Sequence, residues 1–92
     1  MHHLHLVVRG RVQGVGFRWF VRNEAERLGL AGAVWNRRDG AVELEAAGTR
    51  ERLDVLLERV RGGPPGARVA AVDETWTEGP PRHGDFRIVP SS

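Results

Sequence analysis

An α+β fold, with a mostly antiparallel sheet and two helices on one of its faces, is predicted by three features of this 92-residue chain. An alternating apolar run, Leu4 to Val8, leads through a glycine-rich turn into a segment of helical period. Asp39-Gly40, a strong hairpin signal, lies between two strand-like runs. A second helical stripe opens at Thr49 and is stopped by Gly62-Gly63-Pro64-Pro65, with strand-like residues beyond.

The elements follow in order. Leu4, Leu6 and Val8 alternate with His5, Val7 and Arg9, the period of a strand with one buried face. Phe17, Phe20, Val21, Ala25 and Leu28 form a helical stripe whose end Gly29 and Gly32 bracket. Residues 33 to 37 read as a second strand, and Asp39-Gly40 as a two-residue turn into a third. There Val42, Leu44 and Ala46 alternate with Glu43 and Glu45. Thr49 can cap a second helix with the stripe Leu53, Leu56, Leu57 and Val60. Residues 68 to 77 make a fourth strand, and 85 to 89 a short fifth. The order is βαββαβ plus a short extra edge strand, the ferredoxin-like sandwich. Residues 1–92 are read as a single domain, long enough to bury roughly 60–65% of its unfolded surface.

Composition removes several function classes. Without cysteine there is neither a disulfide frame nor a thiolate metal site. No apolar run approaches the ~20 residues that cross a bilayer, so a cytoplasmic protein without membrane contact is expected. All fourteen basic residues are arginine, yet the net charge is only +2. The high isoelectric point reflects the absence of lysine, tyrosine and cysteine rather than a nucleic-acid footprint.

The chemistry concentrates in residues 10 to 18, Gly-Arg-Val-Gln-Gly-Val-Gly-Phe-Arg. Gly14 and Gly16 permit a bent backbone whose N–H groups face one point. The positive end of the helix beginning at Phe17 faces the same point. Arg18 adds a planar cation able to grip two oxygens of one phosphate. A pocket for a small doubly charged anion results. The spacing matches neither a Rossmann fingerprint nor a Walker loop.

That nonapeptide, together with Leu28-Gly29-Leu30, Asn36 and Asp39-Gly40, closely resembles the acylphosphatases over residues 4 to 89. The resemblance implies hydrolysis of small acyl phosphates without metal or cofactor. The phosphoryl group would be held by Arg18 and by the backbone of Gln13, Gly14, Val15, Gly16 and Phe17. Asn36, eighteen positions after Arg18, would place the attacking water. Phosphate or sulfate would compete, and a monomer is expected. The family usually carries an aromatic residue three positions before the asparagine and a polar one directly before it. Here Ala33 and Trp35 stand there, and strand alternation puts both opposite the face of Asn36. The family often ends in an aromatic residue, whereas this chain ends Pro90-Ser91-Ser92. Similar domains occur within larger hydrogenase-maturation proteins; without such an extension, a free-standing enzyme is expected.

Other polar residues take blander readings. His2, His3 and His5 are read as solvated rather than as metal ligands, and His83 as part of the loop before the last strand. Arg37-Arg38 reads as a solvated pair, and Glu43 and Glu45 are expected to pair with Arg9 or Arg11. Trp19, Trp35 and Trp76 read as packing groups. RNA binding is disfavoured because residues 41 to 47 carry acids and no stacking aromatic. The alternative function is a ferredoxin-like module that binds an anion without turning it over.

Overall fold

A computed structural model describes residues 1–90. Its elements are β1 (His2–Arg11), α1 (Phe17–Arg27), β2 (Ala31–Asn36), β3 (Val42–Gly48), α2 (Arg50–Gly62), β4 (Arg68–Glu78) and β5 (Phe86–Ile88). The five strands form one sheet in the order β4-β1-β3-β2-β5. All pairings are antiparallel except β2 with β5. This is the predicted ferredoxin-like sandwich.

The core lies between sheet and helices. Leu4, Leu6 and Val8 of β1, Val34 of β2, and Val42, Leu44 and Ala46 of β3 supply the sheet side. Phe17, Val21 and Ala25 of α1 and Leu53, Leu56, Leu57 and Val60 of α2 supply the other. Each predicted stripe is therefore the buried face of its element. Between the helices, buried Glu24 accepts from Arg59 at 2.9 Å.

Topology places the functional end. β1 and β2 both pair antiparallel with β3, so they run parallel to each other with β3 between them. Their C-terminal ends therefore emerge on the same edge of the sheet. The glycine-rich loop follows one of these ends, and Asn36 closes the other.

Several local readings are corrected. The hairpin loop has three residues, 38–40, because Asn36 pairs with Val42 and the Arg37 N–H donates to the Ala41 carbonyl at 2.8 Å. Gly40 at φ +93° takes the left-handed position that ends such a turn. Gly29 at φ +67° does end α1, with its N–H on the Glu26 carbonyl and the Leu30 N–H on that of Ala25. Gly32 does not bracket that helix: it lies within β2, opposite Ala46. A Cβ at Gly32 would lie 2.0 Å from the Glu45 carbonyl oxygen, so close strand approach, not helix termination, requires glycine there. β1 runs three residues past Val8 because it continues on β4 through a bulge at Arg9/Gly10.

Two glycine substitutions should act with opposite sign. Gly32→Ala should cost roughly 2–5 kcal/mol from the clash and the φ of +150°. Gly62→Ala, at the helical end of α2 with open space around its Cβ, should stabilise by about 0.5–1 kcal/mol. Thermal denaturation of both variants checks this, at about 4–8 °C per kcal/mol for a domain near this size.

Candidate active site

The loop between β1 and α1 is pinned at both ends. Val12 and Phe17 are each 1% exposed, and Val15 packs against the core between them. Phe17 also meets Phe20 edge-on at 6.0 Å between centroids. Gly14 and Gly16 both sit at φ +76°. A Cβ on either would meet no atom within 4 Å, so backbone conformation, not crowding, calls for glycine here.

The start of α1 is left open. Gly16 is its N-cap in a left-handed conformation, no side chain caps the helix, and its first turn carries no acid. Among the described residues, no backbone N–H from 13 to 19 donates to a protein acceptor in the loop and cap bonds; the first to do so is Phe20, to the Gly16 carbonyl at 3.0 Å. α2 shows the ordinary arrangement: the Thr49 hydroxyl accepts from the Arg52 N–H at 3.3 Å, and Glu51 sits in the first turn. The amides of α1 are thus available to an external acceptor.

Arg18 is the second residue of α1 and half-buried. Arg9 pairs with Asp73 at 3.3 Å and Arg22 with Glu26 at 2.9 Å, whereas Arg11 has no carboxylate partner among the described residues. Arg18 has no carboxylate partner among the described residues. Asn36, also half-buried, closes β2 on the face it shares with core residue Val34. Its carboxamide makes no hydrogen bond to another described residue. Ala33 and Trp35 lie on the opposite face, as the alternation predicts.

The topology therefore places the predicted site residues at one end of the sheet: 13–18 in the loop after β1 and the start of α1, and Asn36 at the end of β2, with β3 between the two strands. Two contributions were missed from the sequence. The Gln13 side-chain amide donates to the carbonyls of Arg37 and Ala41, at 2.7 and 2.9 Å. Asp39 secures the turn, accepting from the Ala41 N–H at 3.1 Å. That backbone hydrogen bond first, with Arg37 nearby, holds the Asp39 carboxyl below its ordinary range. The depressed value means that Asp39 supports the folded turn above its unfolded pKa. This support fades as the pH falls below about 4, through the lower folded value.

The remaining polar residues do not converge on the loop. His2 faces Glu78 at 3.6 Å, His3 meets the Pro80 carbonyl at 3.1 Å, and His5 meets Glu43 at 2.5 Å. Glu43 and Glu45 do not pair with Arg9 or Arg11. Glu43 takes His5 and Arg37, while Glu45 takes Arg82 at 3.0 Å. The register explains this, because Arg9 lies beyond the β1–β3 ladder and reaches Asp73 and Asp39 instead. Trp76 packs partly against the core, with Arg50 stacked on it at 3.7 Å. Trp19, however, is 58% exposed, so it is not a packing group. Residues 91 and 92 of the chain end lie outside the described residues. No helix among the described residues is long and apolar enough to cross a membrane.

The class is thus an α+β ferredoxin-like sandwich whose open helix N-terminus, with Arg18 in its first turn and a carboxamide at the end of β2, offers hydrogen-bond donors to which an anion could bind. The family model described as acylphosphatase matches residues 4–88. An acylphosphatase of Azorhizobium caulinodans is 46% identical over 87 residues, covering 95% of this chain and 94% of that protein. The crystal structure of the Bacillus subtilis acylphosphatase superposes with a TM-score of 0.93 at 43% identity, covering 97% and 99% of the two chains. A structure of full-length HypF in a phosphate- and nucleotide-bound form gives 0.85 at 28% identity; it covers 99% of this chain but 12% of that one. The chain belongs to the acylphosphatase family.

Inorganic phosphate should shift the backbone amide resonances of residues 13–18 selectively in an NMR titration. Arg18→Ala should weaken that binding about 10- to 150-fold, the worth of a charged hydrogen-bonded contact. Amide shifts centred elsewhere on the chain would contradict this placement.

Proposed function

We propose that this chain hydrolyses small acyl phosphates to a carboxylate and inorganic phosphate, with Arg18 and the 13–17 backbone holding the phosphoryl group and Asn36 placing the water. Family membership supports the activity. The observation that carries the residue assignment is the uncapped start of α1, with Arg18 in its first turn and Asn36 at the end of β2, at the same end of the sheet.

The steps follow from the chemistry of an acyl phosphate. Its phosphoryl oxygens accept from the loop amides and from the Arg18 guanidinium, which spread and stabilise the negative charge of the transition state. The Asn36 carboxamide accepts from a water through its oxygen and donates to a phosphoryl oxygen through its nitrogen. This holds the water in line with the acyl oxygen. The new P–O bond forms as the P–O bond to the acyl group breaks, and the carboxylate departs with the bonding electrons. A carboxylate is a weak base and needs no general acid. The water's proton passes to a phosphoryl oxygen. The charges are met by Arg18 and the amides, so the scheme calls on no metal or cofactor.

Free phosphate and sulfate fit the same cradle and are proposed as competing anions. One continuous core runs through both helices and all three central strands, which supports a single domain; we propose that this domain spans 1–92 and acts as a cytoplasmic monomer.

Asn36→Ala should abolish detectable turnover of benzoyl phosphate while weakening phosphate inhibition only about two- to tenfold, because Asn36 gives the phosphoryl group one neutral hydrogen bond whereas Arg18 and the loop amides hold its charge. Equal loss of phosphate affinity in Asn36→Ala would assign it to binding instead, and turnover surviving in that variant would contradict its role.

The rate between about pH 6 and 8 should carry no histidine-derived step, since no histidine adjoins the loop. A variant with His2, His3, His5 and His83 all changed to Gln should keep the wild-type pH profile. A bell-shaped profile that disappears in that variant would overturn the mechanism.

A further inference from the structure

The sheet ladder ties β1 to Asn36 only as far as Val8, since Val42 of β3 pairs with both Val8 and Asn36, while Arg9 to Arg11 pair with β4 alone and the cradle beyond them has no ladder to β3. The cradle leaves the end of β1, Asn36 ends β2, and β3 separates the two strands. The side chain of Gln13 spans the gap. The Gln13 amide nitrogen lies 2.7 Å from the Arg37 carbonyl oxygen and 2.9 Å from that of Ala41. Facing two carbonyls, only the –NH₂ end of the amide can satisfy both, which sets its orientation.

Those two carbonyls are the neck of the β2–β3 hairpin. The Ala41 oxygen already accepts from the Arg37 N–H at 2.8 Å, and the Arg37 oxygen from the Gly40 N–H at 3.3 Å. Gln13 places one proton on the remaining acceptor capacity of each, and the contacts are part-buried. Arg37 follows Asn36 directly. Gln13 itself is the first residue of the cradle. A second link between β1 and the hairpin, Arg9 to Asp39, is exposed and long at 3.4 Å; it contributes little.

On the reading of the site given above, we infer that the Gln13 side chain is a positioning residue for the hydrolysis: it sets the separation between the phosphoryl cradle and the Asn36 carboxamide. Its backbone serves the anion while its side chain serves the alignment of the water. The reaction needs both halves of the site in register, since a displacement of about 1 Å costs on the order of 100-fold in rate. Binding of phosphate alone rests mainly on the half built by the loop and Arg18.

The two roles separate kinetically. Gln13→Met keeps the length of the side chain and removes the donor. Gln13→Asn keeps the donor but falls one methylene short of reaching both carbonyls. Both should lower kcat for benzoyl phosphate about 10- to 100-fold. The phosphate inhibition constant and KM should stay within about threefold of wild type, and the melting temperature within a few degrees. In the phosphate-bound protein, the side-chain amide resonances of Asn36 should shift in both variants. Parallel losses of kcat and phosphate affinity would make Gln13 a builder of the loop and overturn the inference. So would a wild-type kcat in either variant, a result that leaves the assignment of Arg18 and Asn36 standing. Wild-type turnover, measured alongside, tests that assignment separately.

Discussion

The proposed chemistry rests on backbone amides at the start of α1 that take no protein acceptor among the described residues. A helix start normally satisfies its free N–H groups with a side chain and favours a nearby acid, as α2 does with Thr49 and Glu51. The start of α1 has neither. Its unbonded donors belong to a loop whose two ends, Val12 and Phe17, are buried. Burial at both ends limits how far the loop can relax, so little ordering remains to be done when an anion arrives. Arg18 supplies the full charge that amide dipoles lack.

The fold makes this arrangement useful by bringing a second strand end to it. Because β1 and β2 are parallel and separated by β3, the crossover through α1 returns the chain to the same edge of the sheet. The tight hairpin after Asn36, with Gly40 in the left-handed position and Asp39 bonded to the Ala41 N–H, keeps that end short and ordered. The side chain of Gln13 joins the two ends directly. Core and candidate site share the helix side of the sheet, since Asn36 lies on the face of Val34 and Arg18 on α1. The helix side carries the core, while the open face of the sheet is laced by pairs such as His5 with Glu43 and Arg82 with Glu45.

Much of this was legible in the sequence, for identifiable reasons. The stripes Phe17-Val21-Ala25 and Leu53-Leu56-Leu57-Val60 have a period that only a helix on a core explains. Thr49 marks its helix start by chemistry alone. The nonapeptide 10–18 suggests an anion loop only when Arg18 is taken with Asn36 eighteen positions on, because Gly14 and Gly16 alone also suit an ordinary strand-to-helix turn. What stayed hidden depends on strand order. The partners of Gln13 can be named only once the hairpin neck is known to lie beside the loop. Gly32 reads as a helix stop until the pairing of β2 with β3 shows the Glu45 carbonyl against it. Glu43 and Glu45 select His5, Arg37 and Arg82 through register and loop position, which alternation does not encode.

The most direct measurement is a crystal structure of the chain with bound phosphate or sulfate. The account predicts one tetrahedral anion within hydrogen-bond distance of the 13–18 amides and the Arg18 guanidinium, with the Asn36 carboxamide turned toward it. An anion settled elsewhere, or loop amides pointing away from it, would contradict the account at its base.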